Sequence, residues 1–194
     1  KNGEATAAVS DSYNSGNVEG YFAVGGVVGQ MFNGEVVHSY NLGNIKTTRT
    51  ATQNELNPAV NMGGVVGDTI EDVNKAKAFL YDVYNKGTIG DKEFHYYARH
   101  VGGVAGRLNG TIEKAYNSGD IYNGYNVVGG IVGFYHRGSI KDVFNTGNIT
   151  VKNNDLLSTS DSRNTSKTSS VGGIVGAVAP LLKNSEPALS IENA

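Results

Sequence analysis

The stretch VGGVAGRLNGTIEKAYNSGDI, residues 101–121, decides the fold because the chain repeats it. Residues 24–45 read VGGVVGQMFNGEVVHSYNLGNI, and residues 128–149 read VGGIVGFYHRGSIKDVFNTGNI. Two blocks therefore alternate along the chain. The first block, Val-Gly-Gly-Val/Ile-Val/Ala-Gly, begins at Val24, Met62, Val101, Val128 and Val171. The second block, aromatic-Asn-x-Gly-x-Ile/Val, begins at Tyr13, Tyr40, Tyr84, Tyr116 and Phe144.

The spacing of the blocks predicts a solenoid with variable loops. Residues 101 and 128 begin successive first blocks at the shortest period, and longer periods come from insertions between constant segments. A fixed framework with variable additions is typical of repeat proteins, in which each unit packs only on its neighbours. We predict insertions near residues 46–61, 68–83, 90–100 and 150–170.

The composition of each unit favours strands over helices. Val, Ile, Tyr, Phe and Thr dominate the blocks, and Gly and Asn punctuate them every few residues. Roughly three strands fit one unit, over the Val-Gly-Gly block, over TIEKAYN and over GDIYN. The sequence therefore predicts an all-β, right-handed parallel β-helix of about five to six coils. This repeat domain would span residues 1–176, and residues 177–194 would form a cap or a linker to another module.

Stacking gives the repeated polar and small residues structural roles. Asparagine amides that lie above one another can hydrogen-bond along the stack and satisfy turn backbone groups. These asparagines are Asn14, Asn41, Asn85, Asn117 and Asn145. The glycines two positions later supply a conformation or a close approach that a Cβ forbids. These glycines are Gly16, Gly43, Gly87, Gly119 and Gly147.

The aromatic residue of each second block forms a predicted ladder whose face is left open. Strict strand alternation puts Ala115 and Asn117 on one face and Tyr116 on the other. A bend near Lys114 would change that assignment.

Bulk composition excludes several classes of protein. The 194 residues carry a net charge of -2 and are 39% hydrophobic, which suits a globular domain without affinity for nucleic acid. The absence of Cys excludes disulfides and thiolate metal sites. The apolar runs are too short for membrane insertion. Because Lys1 is not an initiator Met, we expect a fragment or processed product, monomeric in solution.

The stretch VGGIVG…GSIKDVFNTGNI resembles the GLUG motif, a glycine-rich repeat of bacterial surface and secreted proteins. The resemblance covers most of residues 10–176. GLUG repeats occur in the immunoglobulin A1-cleaving metalloprotease family and in adhesin-like proteins. The resemblance implies an extracellular location, on the bacterial surface or secreted. It does not imply that this segment is the protease.

No pattern in the chain predicts a catalytic, cofactor or metal site. A zinc protease needs H-E-x-x-H, and none of the four histidines supplies it. The acids considered for a glycosidase pair are Asp68, Glu71, Asp72, Asp82, Asp120 and Asp142. Their default interpretation is exposed, solubilising side chains.

Two functions follow from these observations. The first is a non-enzymatic repeat module that acts as a rigid spacer, an adhesive module or a recognition scaffold for a host protein or glycan. The alternative is a polysaccharide-binding or polysaccharide-degrading β-helix. Any binding should lie in the insertions, because loops on a rigid scaffold usually carry recognition. The best contact candidates are Phe94, Tyr96 and Tyr97, which combine aromatic area with neighbouring charge.

Overall fold

The computed structural model describes residues 7–48, 60–70, 78–93, 98–123, 126–152, 169–178 and 190–194. These residues form β-strands and no helix. The described residues therefore contain no helix able to cross a membrane. The chain is all-β, as predicted, and its parallel strands form a curled sheet with smaller sheets beside it.

Each first block contributes two strands. The strands that begin the blocks are β4 (Ala23–Gly25), β9 (Asn61–Gly63), β12 (His100–Gly102), β15 (Val127–Gly129) and β18 (Ser170–Gly172). They form one five-stranded sheet. The strands that end the blocks are β5 (Val28–Met31), β10 (Val66–Thr69), β19 (Val175–Val178) and the first parts of β13 (Ala105–Asn117) and β16 (Val132–Asn145).

The second block and the residues before it supply the remaining strands. Those in the large sheet are β1 (Ala8–Ser10), β2 (Tyr13–Asn14), β6 (Gly34–Val37), β7 (Tyr40–Asn41), β11 (Ala78–Asn85) and β20 (Ser190–Glu192). Those in the two-stranded sheets are β3 (Val18–Gly20), β8 (Ile45–Thr47), β14 (Ile121–Asn123) and β17 (Ile149–Val151).

Every strand pairs in parallel with the equivalent strand of the adjacent unit. Val101 of β12 aligns with Met62 on one side and Val128 on the other. Tyr116 aligns in the same way with Tyr84 and Phe144. The predicted in-register stacking of the first blocks is confirmed from Val24 to Val171. We call each set of residues so aligned a column.

The prediction of one strand over the Val-Gly-Gly block was wrong. In the fourth unit β12 ends at Gly102 and β13 begins at Ala105. The glycines explain the break, because a Cβ on Gly106 would lie 2.7 Å from the backbone N of Met62. A Cβ on Gly102 would lie 2.7 Å from the backbone N of Gly133. The two strands of the blocks therefore face each other through bare backbone, which we call the glycine seam.

Two hydrophobic cores lie among the described residues, and the first blocks that begin at Val24, Met62, Val101 and Val128 contribute to both. Val101 belongs to one core with Ile45, Ile89 and Ile121. The other core contains Ala105, Val36, Leu80, Val104, Ile112 and Ile140. The repeated glycines thus let one short block serve two cores, since the seam needs no side chains of its own.

The insertion predicted at residues 68–83 is shorter than expected. Asp68 and Thr69 belong to β10, and β11 aligns with β13 from its first residue. The sequence obscured this because Ala78 stands where the aligned unit has Gly110. Residues 71–77 lie outside the described residues. The insertions predicted at 46–61 and 90–100 are also shorter than expected, because their first and last residues belong to the framework. Val60 and Ala98, near the ends of these segments, are fully buried.

The framework continues beyond residue 176, where the sequence predicted a cap or linker. Val178 lies in β19, and β20 pairs with β16 so that Ile191 aligns with Ile140. Residues 190–193, Ser-Ile-Glu-Asn, repeat the pattern Ser-Ile-Lys-Asp of residues 139–142. The last described residues therefore extend the stack by part of a further unit.

One column adopts the left-handed backbone conformation in every unit. Its members are Asp11 (φ 50°), His38 (φ 47°), Asp82 (φ 51°), Lys114 (φ 55°), Asp142 (φ 53°) and Asn193 (φ 52°). This is the bend near Lys114, and it shifts the alternation so that Ile112 and Ala115 both point inward. Asn117 is then buried and Tyr116 faces outward, which resolves the open face of the aromatic ladder.

Candidate functional site

The repeated asparagines form a continuous hydrogen-bonded ladder. Asn14 Nδ2 donates to Asn41 Oδ1, Asn41 to Asn85, Asn85 to Asn117, and Asn117 to Asn145, each at 2.8 Å. The three central asparagines are fully buried. An interior amide satisfied on both sides is favourable, whereas one left unpaired would be costly.

The same amides also close the turn of their own unit. Asn117 Nδ2 donates to the Gly119 carbonyl at 2.8 Å, and the Gly119 backbone N donates to Asn117 Oδ1 at 3.3 Å. Asn85 repeats both bonds with Gly87. A Cβ on Gly119 would clash with the Gly87 carbonyl of the preceding unit. The second block thus stabilises the stacking of the units, and the repetition of its spacing along the chain needs no ligand to explain it.

The aromatic ladder covers the outer face of the same strands. Ring centroids are 5.3 Å apart from Tyr13 to Tyr40, 4.6 Å to Tyr84, 4.7 Å to Tyr116 and 5.1 Å to Phe144. The interplanar angles, 11°, 4°, 6° and 3°, describe nearly parallel stacking. Because neighbours cover the ring faces inside the ladder, a sugar ring could stack only at its two ends.

A buried polar network between the third and fourth units was missed by the sequence analysis. Arg107 holds Asp68 with two hydrogen bonds, Nε to Oδ1 at 2.7 Å and Nη2 to Oδ2 at 2.8 Å. Asn61 Nδ2 donates to Asp68 Oδ2 at 3.0 Å, and His100 Nδ1 lies 2.8 Å from Asn61 Oδ1. Since an amide oxygen only accepts, His100 donates from Nδ1. Asp68 is fully buried, so its interpretation as an exposed acid was wrong.

Packing keeps the histidine of this network neutral. His100 is 5% exposed, and its ring lies 4.6 Å from that of Phe134. Burial, reinforced by the charges of Arg99, Arg107 and His136, lowers the pKa of His100 from 6.5 to about 3. A neutral imidazole fits the network. A protonated His100 would be repelled by the Arg107 guanidinium, and its Nδ1 is bonded to the amide of Asn61 and not to a carboxylate.

The sequence contained a signal for this network, in the departures from the repeat. Residues 61 and 100 occupy one column, in which the other units carry Ala23, Val127 and Ser170. Residues 68 and 107 occupy another, with opposite charges in adjacent units. The network therefore lies where the third and fourth units differ from the others, in positions that the shared pattern of the blocks does not specify.

Two of the other acids considered for catalysis, Asp120 and Asp142, have structural partners. Asp120 Oδ1 accepts from the backbone N of Asn148 at 3.0 Å, and this bond is the main cause of a lowered pKa for Asp120. Asp142 lies in the left-handed column and accepts from Asn193 Nδ2 at 2.7 Å. Asp82 lies in the same column.

Several predicted residues lie outside the described part of the chain. They are Phe94, Tyr96 and Tyr97, the contact candidates, and the acids Glu71 and Asp72. Within the described ranges no group of three or more His, Asp or Glu side chains is placed to hold a metal ion.

In-register parallel units, an internal amide ladder and an external aromatic ladder define a β-repeat protein. The family model of the GLUG motif matches residues 124–150, which contain one complete pair of blocks. The other copies align with this unit strand by strand, and the chain is a GLUG-motif repeat protein. Comparison of the chain with curated proteins and with solved structures found no match.

Proposed function

We propose that the chain is a non-enzymatic repeat module of a larger bacterial surface or secreted protein, where it serves as a rigid scaffold. The observation that carries this proposal is the unbroken amide ladder from Asn14 to Asn145. A ladder that runs through every complete unit couples them into one stiff body. We further propose that the stack is a right-handed parallel β-helix, roughly 25–30 Å long at about 4.8 Å per coil.

The scaffold would present its insertions on one side. Three of the predicted insertions leave the framework after the same column of strands, in which Ile45, Ile89 and Ile149 align through Ile121. They return immediately before the strands that open the next first block, near Asn61, His100 and Ser170. Segments anchored at equivalent positions of stacked units emerge from one edge, so they can form a composite surface for a host protein or a glycan.

The repeated blocks themselves support the absence of catalysis. A retaining or inverting glycosidase needs two carboxylates that face each other across the substrate. Asp68 is neutralised by Arg107 inside the fold, and Asp120 is engaged by Asn148. The alternative, a polysaccharide-binding or polysaccharide-degrading β-helix, would have to use residues in the insertions. Covered ring faces in the aromatic ladder disfavour sugar binding along its length.

Binding and turnover assays on the purified chain test this proposal. The chain and a variant lacking residues 153–168 should both be folded, since shortening a polar loop changes closure entropy little. We expect binding to a host protein or glycan to depend on the insertions, and no hydrolysis of polysaccharides or proteins. Reproducible turnover that is abolished by Asp72→Asn, a change within the insertion predicted at residues 68–83, would overturn the non-enzymatic assignment. Binding retained after all three insertions are replaced by short Gly-Ser linkers would overturn the scaffold role.

A further inference from the structure

The tyrosines of the aromatic ladder are in direct contact with one another. Tyr84 makes the closest contacts, since its ring centroid lies 4.6 Å from that of Tyr40 and 4.7 Å from that of Tyr116. The ring planes differ by 4° and 6°, so the three rings are nearly parallel. Such centroid distances are typical of offset stacking, in which carbon atoms of neighbouring rings touch at about 3.5–4.0 Å. Each of these phenols therefore has a second phenol within contact distance.

The register of the strands holds the three rings in contact. Tyr84 aligns with Tyr40 on one side and with Tyr116 on the other, in parallel strands. The amide ladder joins the same three units on the inner side of these strands. All three tyrosines are half-buried on the outer face of the sheet. The rings therefore stay stacked while their edges remain open to small reagents in solution.

The composition of the chain directs oxidation to tyrosine. Thiols and thioethers are common sites of oxidation in proteins, and indole rings also lose electrons readily. The chain has no Cys and no Trp, and its two methionines, Met31 and Met62, are only 8% and 1% exposed. Tyr13, in contrast, is 65% exposed and stacks on Tyr40. A one-electron oxidant can thus reach the ladder directly, and the stacked rings let an unpaired electron pass from one phenol to the next.

We propose that Tyr84 and its two stacked neighbours form a modification site, at which a peroxidase supplied with hydrogen peroxide links two tyrosines of adjacent units. Two phenols each lose one electron to the peroxidase and one proton to water, which leaves two phenoxyl radicals. The radicals couple through one Cε carbon of each ring, ortho to the oxygen, and form one carbon–carbon bond. Each of these carbons then passes its hydrogen to its own phenoxyl oxygen, which restores both phenols. Hydrogen peroxide takes up the two electrons and two protons and becomes water.

The product is a dityrosine that spans one step of the stack. Tyr84 is the shared member of the site, because Tyr40 and Tyr116 each contact it and are separated from each other by its ring. The bond would fix the register of adjacent units from the outer face, as the amide ladder does from the interior. Oxidation would thus convert a stack held by hydrogen bonds and packing into one with a covalent staple.

Treatment of the dilute, purified chain with a peroxidase and hydrogen peroxide tests the proposal. We expect dityrosine fluorescence, a chain that remains single on a denaturing gel, and a mass lower by two hydrogen atoms. Fragmentation of the linked peptides should place the bond between Tyr84 and either Tyr40 or Tyr116. The midpoint of urea denaturation should rise for the linked chain, since a cross-link restricts the unfolded state.

Tyr84→Phe should remove most of the intramolecular dityrosine, because phenylalanine cannot form a phenoxyl radical and its ring separates the two remaining neighbours. Phe144 already stacks on Tyr116 at 5.1 Å, so the ladder accepts phenylalanine and the variant should fold, as circular dichroism can verify. Tyr21→Phe is the matched control. Tyr21 is 59% exposed and lies outside the ladder, so its replacement should leave the yield unchanged.

Three results would overturn the proposal. The first is an unchanged yield in Tyr84→Phe, or a bond that maps to tyrosines outside the ladder, since oxidation would then follow exposure and not stacking. The second is a link that forms only between chains and disappears on dilution. The third is an absence of dityrosine under conditions in which the same peroxidase couples free tyrosine.

Discussion

Replacing Asn117 with alanine removes the centre of the amide ladder. Asn117 makes four hydrogen bonds: one from Asn85 Nδ2, one to Asn145 Oδ1, and a pair with Gly119. At about 1 kcal/mol net for each, the expected loss in the free energy of unfolding is about 4 kcal/mol. The site is fully buried, so water cannot replace the lost partners without entering the fold.

Asn14→Ala is the matched comparison within the same column. Asn14 makes equivalent bonds with Gly16 and with Asn41, but it lies at the partly exposed end of the ladder. Water can therefore satisfy the groups left behind, and we expect a loss of only about 1 kcal/mol. The two variants delete the same atoms, so the difference between them measures burial of the ladder rather than the side chain itself.

Urea denaturation followed by circular dichroism gives both free energies. The slope of the unfolding free energy against urea concentration should be unchanged, because neither substitution alters the surface area exposed on unfolding. A loss for Asn117→Ala no greater than that for Asn14→Ala would refute the reasoning, since it would mean that the ladder contributes nothing beyond its exposed end.

Two further pairs of substitutions test other parts of the account. Between pH 6.5 and about 3 the unfolded chain binds the His100 proton first, so this group should lower stability by about 1.4 kcal/mol per pH unit as pH falls. His100→Gln should remove that slope in pH-dependent urea denaturation, whereas His38→Gln should retain it. Gly103→Ala should lower the free energy of unfolding by about 3 kcal/mol, since the Cβ would clash with the Gly130 carbonyl oxygen and with Asn117. A Cβ on Gly173 meets nothing within 4 Å, so Gly173→Ala should be neutral in thermal unfolding.

The stacking of the units could be predicted from the sequence because it depends on what the units share. Asn and Gly at fixed offsets in each second block required a common register, and the structure has that register from Tyr13 to Phe144. The direction of the aromatic side chains could not be predicted. It depends on the left-handed residue at position 114, and lysine gives no local indication of that conformation.

The boundaries of the units and the buried polar network could not be predicted, because they depend on residues that differ from one unit to the next. Ala78 in place of glycine concealed the start of β11, and residues 190–192 rejoin the large sheet after a segment without block residues. Asp68 pairs with Arg107 because the residue that follows the last glycine of each first block lies beside the equivalent residue of the next unit. That adjacency follows from the predicted register, because residues 68 and 107 each lie six positions after the start of a first block.

Disulfide trapping across one step of the stack tests the parallel, in-register arrangement most directly. The chain has no cysteine, so introduced thiols report only on each other. Thr111 and Ser139 are register partners whose hydroxyl oxygens lie 3.3 Å apart, and Lys141 is two residues out of register with Thr111. After oxidation of dilute protein, mass spectrometry should find an intramolecular disulfide in the Thr111→Cys/Ser139→Cys variant and free thiols in Thr111→Cys/Lys141→Cys. Free thiols in the first variant, or equal oxidation of both, would contradict in-register parallel stacking.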